Sequence, residues 1–255
     1  MTREPKREVR CLDDTEALCA AAADAFVRAG RRAIEARGKF RVALSGGSTP
    51  KRLYELLTRS PYREQVAWER VEFYFGDERA VAPEHLDSNY RMARESLFDP
   101  LEIDASRVHR MHAERRDLDA AARTYEALIA EDFGVAVGSP PPRFDLIMLG
   151  MGTDGHTHTA SLFPNTRALR ERDRWVVNND VPQLSASRMT LSYPLINRAE
   201  RVVFLISGRD KAEALARVLE GPEDLSNYPA QGVCPDPGSL LLLIDRAAGE
   251  LLNLE

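Results

Sequence analysis

The chain has little cysteine. Cys11, Cys19 and Cys234 are the only three in 255 residues, no two form a CxxC pair, and the count is odd. That argues against a disulfide framework and for a reducing compartment. Cys11 and Cys19 are expected to pack as small hydrophobes. Long apolar runs are also missing. Runs such as Leu240–Ile244 are far too short to span a bilayer, and no secretory-type apolar region follows the first charged residues. Nor is charge of one sign concentrated. The net charge is −5 with acids and bases interspersed, so no basic stripe marks a nucleic-acid partner. The densest basic stretch, Arg3–Arg10, is interrupted by two glutamates and a proline and is expected to be solvated and frayed. These absences together point to a cytoplasmic protein with no membrane or nucleic-acid partner. The SGGST loop at 45–49 is neither a dinucleotide GxGxxG pattern nor a GK[ST] phosphate loop, and no GxSxG nucleophile elbow is present.

What is there reads as an α/β protein. With 44% hydrophobic and 29% charged residues, the composition is that of an ordinary globular chain, and residues 1–255 are expected to form a single domain. Helical spacing fills residues 13 to 37, with Leu18, Ala22, Phe26 and Ile34 near one face and Gly38 just past the end. Further helices are expected from Pro50, from about Ser88 to Leu97, over Asp117–Phe133 and over Lys211–Leu219. Between them lie short continuous apolar runs: Phe40–Leu44, Val71–Phe75, Phe144–Leu149, Arg201–Ile206 and Leu240–Asp245, with weaker candidates at Trp175–Val177 and Met189–Leu191. Continuous rather than alternating apolar strands, separated by helices, predict a Rossmann-like fold, a mostly parallel sheet with helices on both faces. Ligands of such sheets bind beyond the carboxyl ends of the strands. Glycine and polar residues gather at that end of the strong strands: SGGSTP after FRVAL, GDER after VEFYF, GMGTDGHTHT after FDLIML, and SGRDK after RVVFLI.

Each of these loops carries chemistry. Ser45, Gly46, Gly47, Ser48 and Thr49 join a strand to a helix start, where free N–H groups and the helix dipole favour an anion such as phosphate; a plain βα turn has the same look. Gly76-Asp77-Glu78-Arg79 offers Asp77 as a sugar-orienting group or base and Arg79 as a bidentate phosphate clamp, although a surface ion pair reads the same way. His156 and His158 stand two residues apart in a loop, and a histidine suits general-base work near neutral pH. Asp154 is placed to hold an imidazole tautomer. No nucleophile accompanies them, and no Cys or His cluster supports a metal. His85, His109 and His112 lie in polar surroundings and are expected to be exposed. Lys211 opens a helix after a strand end, and Arg188 precedes a weak strand; each is either a phosphate cation or a solvated residue. From the residues alone, the pocket combines an anion cradle, cations and a histidine base, without cofactor or metal.

SGGSTP at 45–50, GDER at 76–79 with SN at 88–89, FDLIMLGMGTDGH and HTASLFP within 144–164, and RMTLSYPLIN with VVFLISGRDKAEAL within 188–215 resemble the 6-phosphogluconolactonase family. They come in that family's order and cover nearly all the chain after residue 40. The resemblance implies hydrolysis of 6-phospho-D-glucono-1,5-lactone, a phosphorylated sugar lactone, in the oxidative pentose phosphate pathway, by a monomer or small homo-oligomer without a cofactor. It also implies phosphate or substrate contacts at Ser45, Gly46, Gly47, Ser48 and Thr49, cationic contacts at Arg79, Arg188 and Lys211, and Asp77 beside the sugar ring. The family histidine would take a proton from the attacking water. This chain reads DGHTHTASLFP where the family reads DGHTASLFP, so His156 or His158 is the base depending on the side from which the motif is aligned. The preserved spacing from the strand end and from Asp154 favours His156. Glucosamine-6-phosphate deaminases share the fold, but their histidine is followed by a glutamate that TASLFPN lacks. A non-catalytic sugar-phosphate sensor would need an output module, and no helix-turn-helix segment is present.

Overall fold

In a computed structural model, which describes residues 6–153 and 157–253, nine strands and seven helices are seen among the described residues. The strands are β1 (Lys6–Leu12), β2 (Phe40–Leu44), β3 (Val71–Phe75), β4 (Asp77–Arg79), β5 (Leu146–Leu149), β6 (Val176–Val181), β7 (Ala186–Leu191), β8 (Arg201–Ile206) and β9 (Ser239–Asp245). The helices are α1 (Thr15–Arg37), α2 (Ser48–Leu57), α3 (Asn89–Ala93), α4 (Asp99–Leu101), α5 (Leu118–Phe133), α6 (Tyr193–Ile196) and α7 (Ala212–Glu220). Six strands form one all-parallel sheet in the order β1-β9-β8-β5-β2-β3.

Both faces of this sheet are covered, and β2 shows how. Phe40 packs edge-on against Phe26 of α1, with ring centroids 5.1 Å apart. The next residue, Arg41, reaches Asp132 of α5 at 2.6 Å and lies over the Phe133 ring. Successive strand side chains point to opposite faces, so α1 and α5 lie on opposite sides. The expected doubly covered parallel sheet is therefore present. The long helices start and stop where the sequence places them: Asp14 and Asp117 cap α1 and α5, and Gly38 and Gly134 close them in left-handed conformations.

The structure corrects several expectations. The N-terminal stretch is not frayed from residue 6 onward: β1 pairs in parallel with β9 along its whole length. Its charged residues fit an edge strand, where charge blocks further pairing. Cys11, on that strand, is exposed, whereas Cys19 is buried as expected. The polar stretch after Gly76 is not simply loop. Asp77–Arg79 is β4, and it joins the weaker candidates β7 and β6 in a separate antiparallel sheet of order β4-β7-β6. His109 is not exposed. Its Nε2 lies 3.1 Å from buried Glu72 and its ring stacks on Tyr74. No described helix is long and apolar enough to cross a membrane.

Gly76 is where the chain passes from one sheet to the other. Its N–H donates to the Leu44 carbonyl in β2, and its own carbonyl accepts from Leu191 in β7. This brings the small sheet over the carboxyl ends of the parallel strands.

Candidate active site

A cleft of about 240 Å³ opens there. It is lined by Ser45, Gly46 and Gly47 after β2, Asp77 and Arg79 of β4, Asn89, the loop from Gly150 to Thr153, His158, Ala160 and Lys211. The structure thus gathers one residue set from the ends of four strands, as a parallel sheet requires.

The β2 loop is held from beneath. The hydroxyl of Tyr54, buried in α2, accepts from the Ser45 N–H at 3.0 Å and donates to the Ser45 carbonyl at 2.8 Å. Helix α2 begins at Ser48, two residues before the expected Pro50, with Gly47 as its cap at φ 112°. Only glycine adopts that conformation readily. Ser48 and Thr49 are the first residues of the helix and are not among those lining the cleft.

Asp77 is buried and tied on both carboxylate oxygens. Ser161 Oγ donates to one at 2.5 Å, and Asn89 Nδ2 donates to the other at 3.3 Å and to the Asp77 carbonyl at 2.9 Å. Ser161, Asn89 and Thr190, whose Oγ1 accepts from the Ser161 N–H at 3.1 Å, escape sequence reasoning. Each stands in a motif that carries the family resemblance, SN at 88–89, HTASLFP and RMTLSYPLIN, but nothing local marks its contact with Asp77 or Ser161. The adjacent carboxylate, Glu78, serves the scaffold. It accepts from the N–H groups of Arg79, Asn89 and Tyr90, each at 2.8 Å, and from Ser88 Oγ at 3.0 Å. Burial pushes Glu78 above the usual carboxylate range, and those N–H groups partly offset the rise. Glu78 thereby fixes the start of α3 and, with it, Asn89.

Arg79 and Arg188 stand directly opposite each other in the β4–β7 ladder. Like charges at such positions repel. Both Nε groups are buried without a hydrogen-bond partner among the described residues. Burial first, and then the charge of Arg79, lowers the Arg188 pKa from its ordinary value, against the pull of Asp77. Arg188 is no solvated residue, and neither guanidinium has an ion pair among the described residues, although Arg79 Nη1 donates to the Asp87 carbonyl. Lys211 comes in from the fourth strand end. Its approach is set by Asp245 at the end of β9, which accepts from Gly208 N at 3.1 Å, from Ala248 N at 2.8 Å and from Ser207 Oγ. Burial raises the Asp245 pKa, but bonds from Ser207, Ala248, Gly208 and Thr15 outweigh it and leave the carboxyl below its ordinary value. A depressed carboxylate stabilises the fold above its unfolded pKa and loses that contribution as pH falls through the folded value. Asp245→Asn is therefore expected to cost about 1–2 kcal/mol at pH 7. In urea unfolding, its deficit should narrow below about pH 3.9; a deficit independent of pH would contradict this.

His158 lies in the cleft. Its backbone carbonyl accepts from Gly152 N–H at 2.8 Å, so the chain leaving β5 returns to the strand end at this residue. Its ring stacks on buried Phe163, centroids 4.1 Å apart and planes within 8°, and the Arg188 guanidinium lies 5.1 Å from the centre of the same ring. Ala160, two residues on, is held at φ 48°, a strained conformation for a residue with a Cβ and one that concentrates at functional sites. Asp154 and His156 lie outside the described residues.

A parallel sheet that gathers a histidine, a fixed carboxylate and the cations Arg79 and Lys211 around one cleft beyond its strand ends defines an α/β protein. The family described as glucosamine-6-phosphate isomerases/6-phosphogluconolactonase matches residues 13–242, and the chain belongs to it. Among its relatives, a 6-phosphogluconolactonase of Synechocystis sp. is 45% identical over 223 residues, 87% of this chain and 88% of that one. A 6-phosphogluconolactonase of Nostoc sp. is 39% identical over 251 residues, 98% of this chain and all of the relative. The solved 6-phosphogluconolactonase of Trypanosoma cruzi superposes with a TM-score of 0.84 at 28% identity, covering 99% of both chains.

Proposed function

We propose that the protein hydrolyses 6-phospho-D-glucono-1,5-lactone to 6-phospho-D-gluconate, in the oxidative pentose phosphate pathway, with His158 as the base. The observation that carries this is the cleft itself: His158, the fixed Asp77, Arg79 and Lys211 line one volume, with Arg188 opposite Arg79 in the adjoining ladder, in a chain whose relatives are 6-phosphogluconolactonases.

The substrate phosphate binds to Arg79, Arg188, Lys211 and the N–H groups of the Ser45–Gly47 loop. Binding energy from this remote group holds C1 of the lactone near the histidine. Asp77, fixed by Ser161 and Asn89, receives a sugar hydroxyl. His158 takes a proton from water as the water oxygen bonds to C1, and the carbonyl electrons move onto oxygen. N–H groups of the glycine loops stabilise that oxyanion. When it collapses, the bond from C1 to the ring oxygen breaks, and the imidazolium returns its proton to that oxygen. His156 and Asp154 are assigned no step. Residues 1–255 act as one domain, supported by a hydrophobic cluster that spans both sheets, in the cytoplasm and as a monomer or small homo-oligomer.

Arg188→Gln should raise KM for the lactone about tenfold or more and change kcat less, because it removes a phosphate contact present in ground and transition states alike. Steady-state kinetics on the folded variant check this; a loss confined to kcat would place Arg188 at the chemistry. The functional reading is tested by offering both family substrates. Lactone hydrolysis without ammonia release from glucosamine 6-phosphate is expected. Appreciable ammonia release would overturn it.

A further inference from the structure

The opposite end of the parallel sheet carries a second basic recess. A groove of about 220 Å³ runs between the C-terminal half of α1 and the amino ends of β8 and β9. It is lined by Arg28, Arg32, Arg37 and Arg201, with Asp145 and Glu200. Ala29, Ala33 and Ala36 lie between the arginines of α1, and their small side chains leave the space open. Arg201 begins β8 and Ile206 ends it, so the groove and the catalytic cleft are a strand's length apart, roughly 17 Å at 3.3 Å per residue.

The charges in this groove do not balance. Asp145 is already engaged by the Arg37 guanidinium and by the Arg41 N–H at 2.8 Å. Glu200 is paired with Arg143 at 2.9 Å. Both carboxylates therefore have their own cation. Arg28, Arg32 and Arg201 have no ion pair or hydrogen bond among the described residues. Arg28 and Arg32 are four apart on one helix, a spacing at which like charges repel. Arg201 is half-buried between them and the sheet. Burial, then Arg32 and Arg28, lowers its pKa from the ordinary value, while Glu8 and Glu200 oppose. In a chain with 40 acids against 35 bases, cations are easily paired, and helix-dipole complementarity, which fades beyond the last turn, explains neither Arg28 nor Arg201.

We propose that this groove is a second anion site, distinct from the catalytic cleft, and that it takes a diphosphate group. Three guanidiniums without an ion pair lining one groove match a compact anion of about three negative charges, and their planar forks suit bidentate contact with phosphate oxygens. Free pyrophosphate and the diphosphate of a nucleotide offer the same chemistry.

Isothermal titration at low ionic strength tests it, with pyrophosphate as probe. The proteins are the wild type, the Arg28→Gln/Arg32→Gln/Arg201→Gln variant, and Lys211→Gln as the control for the catalytic cleft. Wild type and Lys211→Gln are expected to bind one pyrophosphate per chain outside the cleft, and the triple variant to bind it at least about tenfold more weakly. A smaller loss in the triple variant, or no binding by wild type, overturns the proposal. Arg201→Gln alone, expected to weaken binding at least about threefold, keeps the test open if the triple variant does not fold. ADP binding as tightly as pyrophosphate identifies a nucleotide diphosphate, whereas pyrophosphate binding without ADP identifies the free anion. Inorganic phosphate binding as tightly as pyrophosphate overturns the diphosphate assignment.

Discussion

His158→Ala is expected to lower kcat for lactone hydrolysis by about 10²–10⁴, the usual contribution of a positioned general base, with KM changed less than about threefold. The expectation rests on three features. The ring lies in the cleft with Asp77, Arg79 and Lys211. Its orientation is fixed by stacking on Phe163, 4.1 Å away. The Gly152–His158 backbone bond returns the chain to the end of β5 at this residue. Spacing from the strand end favours His156, whereas the Gly152–His158 bond that closes the loop supports the proposed reading, in which the histidine that precedes TASLFP is the base. His156→Ala should accordingly keep kcat within about threefold. The opposite pattern, with His156 essential and His158 dispensable, would assign the base to His156.

Gly46→Ala is expected to be nearly as damaging, by a different route. A Cβ on Gly46 would stand 1.8 Å from Asn89 Oδ1 and 2.5 Å from its Cγ. A flexible side-chain end would normally yield, but Asn89 is committed. Its Nδ2 donates to Asp77, and its backbone N–H donates to buried Glu78. Moving it disturbs the Asp77 carboxylate and the start of α3 together. Overpacking of this kind costs about 1–3 kcal/mol, and at this chain length each kcal/mol lowers Tm by roughly 2–4 °C. The displaced Asp77 should cost about 10²-fold in kcat/KM, as misplacements near 1 Å do. Calorimetry and kinetics on Gly46→Ala check both parts. A variant with wild-type Tm and activity would mean that Asn89 does not brace the site. Adding Asn89→Ala to Gly46→Ala should recover stability but not activity, since the clash is relieved and the support for Asp77 stays absent.

Much of this was readable from the sequence because burial writes itself plainly there. β2, β3, β5, β8 and β9 are covered on both faces and appear as continuous apolar runs. β1 is an edge strand dominated by Lys6, Arg7, Glu8 and Arg10, so its signal is charge rather than hydrophobicity. β4 is three polar residues long, and in β6 and β7 the apolar residues are interrupted by Asn178, Asn179, Asp180, Ser187 and Arg188, so neither reads as a continuous apolar run. The cleft loops were visible as glycine and polar residues at strand ends. Their supports were not. Ser161 meets Asp77 across 84 positions of sequence, and Arg79 faces Arg188 only through a strand register that no local pattern specifies. The choice between His156 and His158 was ambiguous for a simpler reason: His-Thr is repeated, and the motif aligns equally well from either side.

The most direct test of the central claim is the rate at which 6-phospho-D-glucono-1,5-lactone, generated in situ from glucose 6-phosphate, becomes 6-phosphogluconate with and without the protein. The lactone also opens unaided, so the protein-free rate is the reference. A rate well above that reference, proportional to protein concentration and lost in His158→Ala, is the predicted result. A rate equal to the unaided one, from folded protein that still binds 6-phosphogluconate, would contradict the assignment.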